Sequence, residues 1–355
     1  MGHAERIPII TEIERLRGSR VICYLTSLRP GVPSQIAEDQ VRIFFDHLLG
    51  LGSRQIPKLD IYLCSNGGNG TVPWRLVALF REFTQSFNVL IPYRAYSAAS
   101  LLALGADEIV MHPFAELGPI DPTVTNDFNP VEQGTGRRIG ISVEDVRAYV
   151  GFIKDTVGIT HEDELVQAIK ILAEKVHPLA LGNVERFVMQ SRLIAKKILK
   201  THMRESSNDH EISEIVETMA SKLYFHGHPI NRREAKEDLH LKVAENLPER
   251  LETLMWNLYQ DFENELRNQD VFNPVSVLAN AQNNAQPGQP VTQSVTLLHA
   301  IIESSQRSSA YETNRRYTQL PIQPGQIAIQ EDLLSQGWRH STAPAPATPP
   351  PSLTT

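Results

Sequence analysis

The chain's 355 residues can bury one large core or two smaller ones. Hydrophobic residues make up 41% and charged residues 21%, the balance of a soluble globular protein, and a net charge of −7 with no basic stripe argues against a nucleic-acid partner. Cys23 and Cys64 both stand in apolar runs and no CxxC pair exists, which points to reduced, buried thiols and excludes a cysteine zinc site.

From Met1 to Arg17 charges recur throughout, unlike a secretory signal, and residues 5–17 read as a short amphipathic helix. No apolar run is long enough to span a bilayer, so no membrane span and a cytoplasmic location are expected. Val21 to Leu25 reads as a strand. Between Gln35 and Leu51, apolar residues at Val41, Phe44, Phe45, Leu48 and Leu49 have helical spacing. A second strand, Leu59 to Leu63, ends in Ser65-Asn66-Gly67-Gly68-Asn69-Gly70. A helix follows over Val72 to Phe83, with Pro73 in its first turn, where a missing N–H costs nothing. Val89 to Ile91 is a third strand, and Ala95-Tyr96-Ser97-Ala98-Ala99-Ser100 turns it into a short helix, Ala98 to Leu104. Glu108 to Met111 is a fourth strand. Strand and helix alternating at short intervals predict crossover units and a largely parallel sheet, an α/β protein.

After Pro122 the character changes. Residues 123–141 are polar and glycine-rich and read as an exposed insertion. Helical patterns then run over Val143 to Val157, Glu162 to Val176, Leu179 to Met203 and Ile212 to Tyr224. A turn at Gly227-His228-Pro229 leads to a helix around Arg232 to Asp238. Another, Pro248 to Asn268, carries Leu251, Leu254, Leu258, Phe262 and Leu266 on one face. Residues 270–295 are rich in Asn, Gln and Pro and read as a linker, residues 296–340 regain apolar content, and the Pro/Ala/Ser/Thr tail 341–355 is expected to be disordered.

The two strand-ending turns carry the chemistry. A serine hydroxyl attacks a carbonyl only when a base takes its proton, and the resulting oxyanion needs preorganised amide donors. Ser97 stands where a strand gives way to a helix of small residues, and Ala98 leaves its amide accessible. Gly67 and Gly68 allow unusual dihedrals and a close approach, so the Gly68 amide is the second candidate donor. Taken singly, each turn is also an ordinary strand-to-helix connection, which favours Gly, Ser and Asn. A dinucleotide fingerprint on Gly68-Asn69-Gly70 would need glycine at Pro73, and no Walker lysine follows.

The order of the pieces is informative: apolar strand, Gly-Gly turn, helix, second strand, small-residue serine turn, apolar helix, then Ala106-Asp107-Glu108-Ile109-Val110. Downstream stand Lys222-Leu223-Tyr224 and Glu234-Ala235-Lys236-Glu237-Asp238-Leu239. This resembles the Clp protease and signal peptide peptidase A clan of serine peptidases, and within it the serine dehydrogenase proteinase family. The resemblance covers about residues 19–245 and is strongest over 58–122. It implies a ClpP/crotonase-type spiral of βαβ units in a peptidase domain over 19–245. The residues outside that span read, from their own patterns, as an N-terminal helix over 1–18 and a helical and mixed C-terminal extension over 246–340. Ser97 takes the nucleophile's place, and Gly68 and Ala98 take the oxyanion places. The clan's proline before the Gly-Gly pair is Asn66 here, and its Met-Gly or Gly-Gly after the serine is Ala98-Ala99; neither change removes a donor N–H.

The proton acceptor falls on residue types that differ from the clan's. Where Clp-type peptidases place a histidine after the serine, this chain has Ile120-Asp121-Pro122; where they place an aspartate before the Glu-Ala helix, it has His226-Gly227-His228. The resemblance to a family of Ser, Asp, His order implies that Asp121 orients His226, which deprotonates Ser97. His177, before Pro178, is an alternative base, and Lys154 would make a Ser–Lys dyad. His228 and His112, each before a proline, read as turn residues. The pair His226 and His228 lacks a third ligand at a supporting spacing, so no metal is expected, and no cofactor is implied. Three functions stay open: a serine endopeptidase acting on polypeptides, a non-proteolytic crotonase-fold enzyme acting on acyl-thioesters, and a catalytically inactive scaffold. The resemblance also implies a homo-oligomer.

Overall fold

The computed structural model describes residues 2–52, 55–120, 123–124, 127–132, 136, 138–204, 208–222, 227–282, 290–323 and 326–342. Helix α1 (His3–Arg17) leads into β1 (Arg20–Thr26), α2 (Gln40–Gly50), β2 (Ile56–Cys64), α3 (Val72–Phe83), β3 (Thr84–Ile91), β4 (Arg94–Ala95), α4 (Ala98–Ala103), β5 (Glu108–Met111) and β6 (Glu116–Leu117). Strands β1, β2, β3 and β5 pair in parallel in that order. Successive βαβ crossovers produce this arrangement, and it is the α/β architecture that the alternation predicts.

The next segment is mainly helical: β7 (Thr123–Val124), β8 (Ile141–Ser142), α5 (Val143–Gly151), a π-helical turn (Phe152–Thr156), α6 (Glu162–Lys175), α7 (Pro178–Leu199), α8 (Asp209–Glu217) and a second π-helical turn (Thr218–Lys222). After it come β9 (Ile230–Asn231), α9 (Arg232–Glu237), α10 (Glu249–Leu266), α11 (Pro274–Gln282), β10 (Thr292–Ser304), β11 (Arg307–Gln323) and β12 (Gln326–Thr342). The stretch 270–295, read from composition as a linker, holds α11 and the start of β10. The extension starts helical, at α10 and α11, and then becomes three long antiparallel strands. Because β10 pairs antiparallel with β1, those strands continue the central sheet, in the order β12-β11-β10-β1-β2-β3-β5. The composition of 341–355 suggested disorder, but Ser341 and Thr342 complete β12; residues 343–355 lie outside the described ones.

Helices cover both faces of the parallel strands. Ile22, Tyr24, Leu59, Ile61, Leu63, Val89 and Ile91 face α2, α3 and α4, where Phe44, Leu76, Phe80 and Leu102 meet them. Val21, Cys23, Leu25, Tyr62, Cys64 and Leu90 face the other way, against Ile10 and Ile13 of α1 and Leu251, Met255, Leu258 and Phe262 of α10. A strand buried on both faces favours apolar residues on both, which is why these strands read as largely apolar runs; the buried exceptions Asp60 and Asn88 pair with each other, Asn88 donating to Asp60 at 2.9 Å. Cys23 and Cys64 are buried free thiols, as their setting predicts. A buried charge cluster ties the second face together. The Arg6 guanidinium donates to Asp261 at 2.7 Å, to both oxygens of Glu303 at 2.8 Å and to Glu265, and it stacks 4.2 Å above the Phe262 ring.

A second, three-stranded sheet, β4-β6-β9, lies at the C-terminal ends of the parallel strands. Its register pairs Arg94 with Glu116, Ala95 with Leu117, and Leu117 with Ile230. The C-terminal end of a parallel sheet is where α/β proteins place their ligands.

Candidate active site

The two turns meet. The Ser65 amide donates to the Arg94 carbonyl and the Tyr96 amide to the Ser65 carbonyl, both at 2.9 Å, so the end of β2 is stitched to β4. Ser65 is buried and its hydroxyl organises the glycine turn: it accepts from the Gly67 amide at 3.0 Å and lies 2.7 Å from Thr26 Oγ1. Gly67 and Gly68 adopt φ of +98° and +151°, values that side chains rarely tolerate. A Cβ at Gly68 would sit 2.5 Å from both the amide nitrogen and the carbonyl oxygen of Ile36. One at Gly67 would sit 2.5 Å from the Tyr96 carbonyl oxygen, 2.8 Å from Ser97 Cβ and 3.0 Å from the Ala98 nitrogen. Only glycine lets the three strands of chain approach this closely.

Ser97 has φ +52° and ψ −115°, a conformation that a non-glycine residue adopts only when its surroundings impose it. The imposing contacts are visible on both sides. Tyr96 before it is bonded to Ser65, while after it the Ala99 amide donates to the Tyr96 carbonyl at 2.9 Å and the Leu101 amide to the Ser97 carbonyl at 3.0 Å. The Ser97 hydroxyl does not cap its helix, and the side chain is half-buried. Ser100, one turn on, is committed elsewhere: its hydroxyl bridges the carbonyls of Ala95 and Gly118 at 2.7 Å. Among the described residues, the amides of Gly68 and Ala98 donate to no acceptor, in contrast to those of Gly67, Asn69 and Ala99. The arrangement therefore offers a hydroxyl and two outward amide donors on facing turns, which is the equipment of acyl transfer.

Around it, Tyr96 donates its hydroxyl to Glu116 at 2.7 Å, and the Arg94 guanidinium lies 5.2 Å from the Tyr96 ring and 3.4 Å from Glu116. Burial, reinforced by Glu116, pushes the Tyr96 phenol well above its ordinary value. Tyr96 is thus a fixed wall and not a proton acceptor.

Asp121 and His226 lie outside the described residues. Their described flanks adjoin: the Ile120 amide donates to the Met219 carbonyl at 2.9 Å, and Leu117 pairs with Ile230. His177 caps α7, its Nδ1 accepting from the Leu179 amide at 3.2 Å, and its ring stacks on Phe128 at 5.0 Å. It precedes by roughly 21 Å of helix axis the point where Ser191 bonds the Ile120 carbonyl at 2.7 Å. Lys154 is an exposed side chain in the first π-helical turn. His112 stacks on Trp256 at 5.3 Å, away on the α10 face. His228, read from sequence as a turn residue, makes a 2.7 Å contact with Glu234 of α9. Ser65 and the Ile36 segment hold the glycine turn in place; Ser65 carried no sequence signal beyond its position beside the turn, and Ile36, distant in the chain, carried none. Among the described residues no group of His, Cys, Asp and Glu converges as metal ligands would, and no helix is long and apolar enough to cross a membrane.

No protein-family model matches the chain. An uncharacterized protein of Methanocaldococcus jannaschii is 26% identical over 260 residues, 71% of this chain and 75% of that protein. A second uncharacterized protein of the same organism is 25% identical over 205 residues, 57% of this chain and 60% of that protein. Among solved structures, a serine-to-alanine mutant of the membrane-bound stomatin-specific protease 1510-N aligns with a TM-score of 0.34 at 14% identity, over 59% of this chain and 73% of that one. A lysine-to-alanine mutant of that protease, in complex with a substrate peptide, aligns with a TM-score of 0.35 at 15% identity, over 64% and 77%.

Proposed function

We propose that the chain is a serine peptidase of the Clp protease and signal peptide peptidase A type, with Ser97 as its nucleophile. One observation carries the reading: a strained Ser97, its hydroxyl not used to cap its helix, faces a glycine turn, and among the described residues the amides of Gly68 and Ala98 find no acceptor. Ser97 Oγ attacks the substrate carbonyl carbon while its proton passes to a base. The carbonyl oxygen, now negative, accepts from Gly68 N–H and Ala98 N–H. The tetrahedral species collapses, the C–N bond breaks, and the leaving amine takes the proton from the base. Water then repeats the sequence on the acyl-enzyme and restores Ser97.

Asp121 and His226 are our choice of orienting carboxylate and base, on the motif resemblance and on the adjacency of their flanks. His177 is less suited because its imidazole caps α7; Lys154 stands as the dyad alternative. The substrate is a polypeptide and the working form a homo-oligomer, both carried from the resemblance. A fluorophosphonate probe tests the reading. Covalent labelling of the folded chain that vanishes in Ser97→Ala is the expected result, and a folded chain that does not label would overturn it in favour of the acyl-thioester or scaffold alternatives.

A further inference from the structure

The Gly68 amide is aimed by its neighbours, and the aiming traces back to a buried glutamine on the first helical turn of α2. In a trans peptide the N–H and C=O point in opposite directions. The Gly67 carbonyl accepts from the Ile36 amide at 2.8 Å, so the Gly68 N–H of the same peptide unit must point away from Ile36. The Asn69 amide donates to the Ile36 carbonyl at 2.9 Å, which fixes the next peptide unit against the same residue. Ile36 thus grips the glycine turn from behind with both of its backbone groups, and its side chain is fully buried.

Ile36 itself lies in an irregular segment, where nothing in regular structure fixes its backbone. Gln40 does so. Its Nε2 donates to the Gln35 carbonyl at 3.0 Å and its Oε1 accepts from the Ala37 amide at 3.0 Å, one bond on each side of Ile36. The Tyr24 hydroxyl also donates to Gln40 Oε1, which locks the amide's orientation from β1. Gln40 is 3% exposed, and Tyr24 is fully buried. A buried carboxamide using both its ends and gripped by a tyrosine is a specific polar device, since an unsatisfied buried amide would be costly.

We propose that Gln40 is a positioning residue for the oxyanion site: through Gln35 and Ala37 it holds Ile36, and through Ile36 it turns the Gly67–Gly68 peptide so that the Gly68 N–H faces Ser97. The proposal rests on the peptidase reading for its consequence, though not for its geometry. Two substitutions separate the parts. Gln40→Met keeps length and volume but removes all three bonds, to Gln35, Ala37 and Tyr24; Gln40→Glu keeps the acceptor for Ala37 and Tyr24 and loses the donor to Gln35.

The test has two readouts on the full chain. Solvent exchange of the Asn69 amide, followed by NMR, reads the grip directly; it is expected to quicken roughly tenfold or more in Gln40→Met and less in Gln40→Glu. The fluorophosphonate labelling rate reads the consequence. It is expected to fall roughly tenfold to a hundredfold in Gln40→Met and less in Gln40→Glu, with the pH midpoint of labelling unchanged, because the base is untouched. Unchanged exchange at Asn69 in Gln40→Met overturns the proposal. So does wild-type labelling in a variant whose exchange has quickened. Quickened exchange in a protein whose wild type does not label would instead sink the peptidase reading and leave the Gln40 grip supported.

Discussion

Gly67 and Ser97, thirty positions apart in the chain, are so close that a methyl group on the glycine would sit 2.8 Å from the serine Cβ. It would also lie 2.5 Å from the Tyr96 carbonyl oxygen, a rigid backbone atom that cannot swing aside, and the backbone at Gly67 has φ +98°. Gly67→Ala must therefore push the two turns apart. On the proposed peptidase reading, the expected result is a fall in fluorophosphonate labelling of about a hundredfold, the worth of one misplaced oxyanion donor; on the geometry alone it is a stability loss of about 2 kcal/mol. Gly70, where a Cβ would meet nothing within 4 Å, is the control. Gly70→Ala should label at the wild-type rate, and urea denaturation of both variants gives the stability comparison.

The strain at Ser97 makes a second prediction, of opposite sign. A non-glycine residue held at φ +52° and ψ −115° costs on the order of 1–3 kcal/mol, while glycine adopts positive φ freely. Ser97→Gly should therefore raise stability by about 1 kcal/mol once glycine's added chain entropy is subtracted, and Ser97→Ala, which keeps the strain, should leave it nearly unchanged. Both should lose labelling. Thermal melting of the three proteins side by side checks this, and a Ser97→Gly variant less stable than Ser97→Ala would show that the backbone is not strained.

The parts of the fold legible in the sequence are those where one physical requirement acts alone. Strands buried on both faces are mostly apolar, so β1, β2 and β5 stand out as Val21 to Leu25, Leu59 to Leu63 and Glu108 to Met111 despite Asp60 and Glu108. Pro73 at the start of α3 marks a helix entry by its geometry alone. Strands β11 and β12 escaped because neither is consistently apolar: in β11 Ser309 and Thr313 are buried alongside Ala310 and Tyr317, and in β12 residues 328–342 are exposed or half-buried. Their outer positions are paired charges such as Arg316 with Asp332 and Arg339 with Glu312. Helix α11 was hidden by its Asn- and Gln-rich setting, although Leu278 packs with Val32, Phe272 and Tyr317. At the candidate site, the turn glycines could be read because positive φ and close backbone approach need glycine. The grip of Ile36 on Gly67 could not, because backbone bonds have no residue preference.

Arg6 supplies a prediction about what holds α1, α10 and β10 together. Its guanidinium is almost fully buried, as are the carboxylates of Asp261 and Glu303 that it bonds. Removing one partner of a buried charge cluster leaves the others uncompensated, which typically costs about 3–5 kcal/mol, more than the cluster itself contributes over an apolar substitute. Arg6→Met is expected to lose stability in that range by urea denaturation. Arg6→Lys should fall between, since an ammonium cannot reproduce the two-pronged bond to Glu303. A loss under about 1 kcal/mol in Arg6→Met would mean that the carboxylates find water when the guanidinium leaves.

His47 links stability to pH. It is buried on α2, with Nε2 3.1 Å from the Ser309 hydroxyl and Nδ1 bonded to no described residue. Burial first, and then the nearby Arg307 guanidinium and the His340 and His3 side chains, hold its pKa down to about 3, with Asp46 opposing. The unfolded chain's histidine titrates near its ordinary value of about 6.5. Above that pH both states are neutral and the folded state loses nothing. As pH falls below it, the unfolded chain takes up a proton that the folded chain refuses, and stability drops by about 1.4 kcal/mol per pH unit from this group. His202, pushed down to about 4 chiefly by burial, adds a second contribution of the same sign. Between pH 6.5 and 5, before most carboxylates titrate, His47→Gln should lessen the pH dependence of the urea-derived stability by about 2 kcal/mol. It should do so whatever the variant's stability at neutral pH. An unaltered slope in His47→Gln would place the acid sensitivity on other groups.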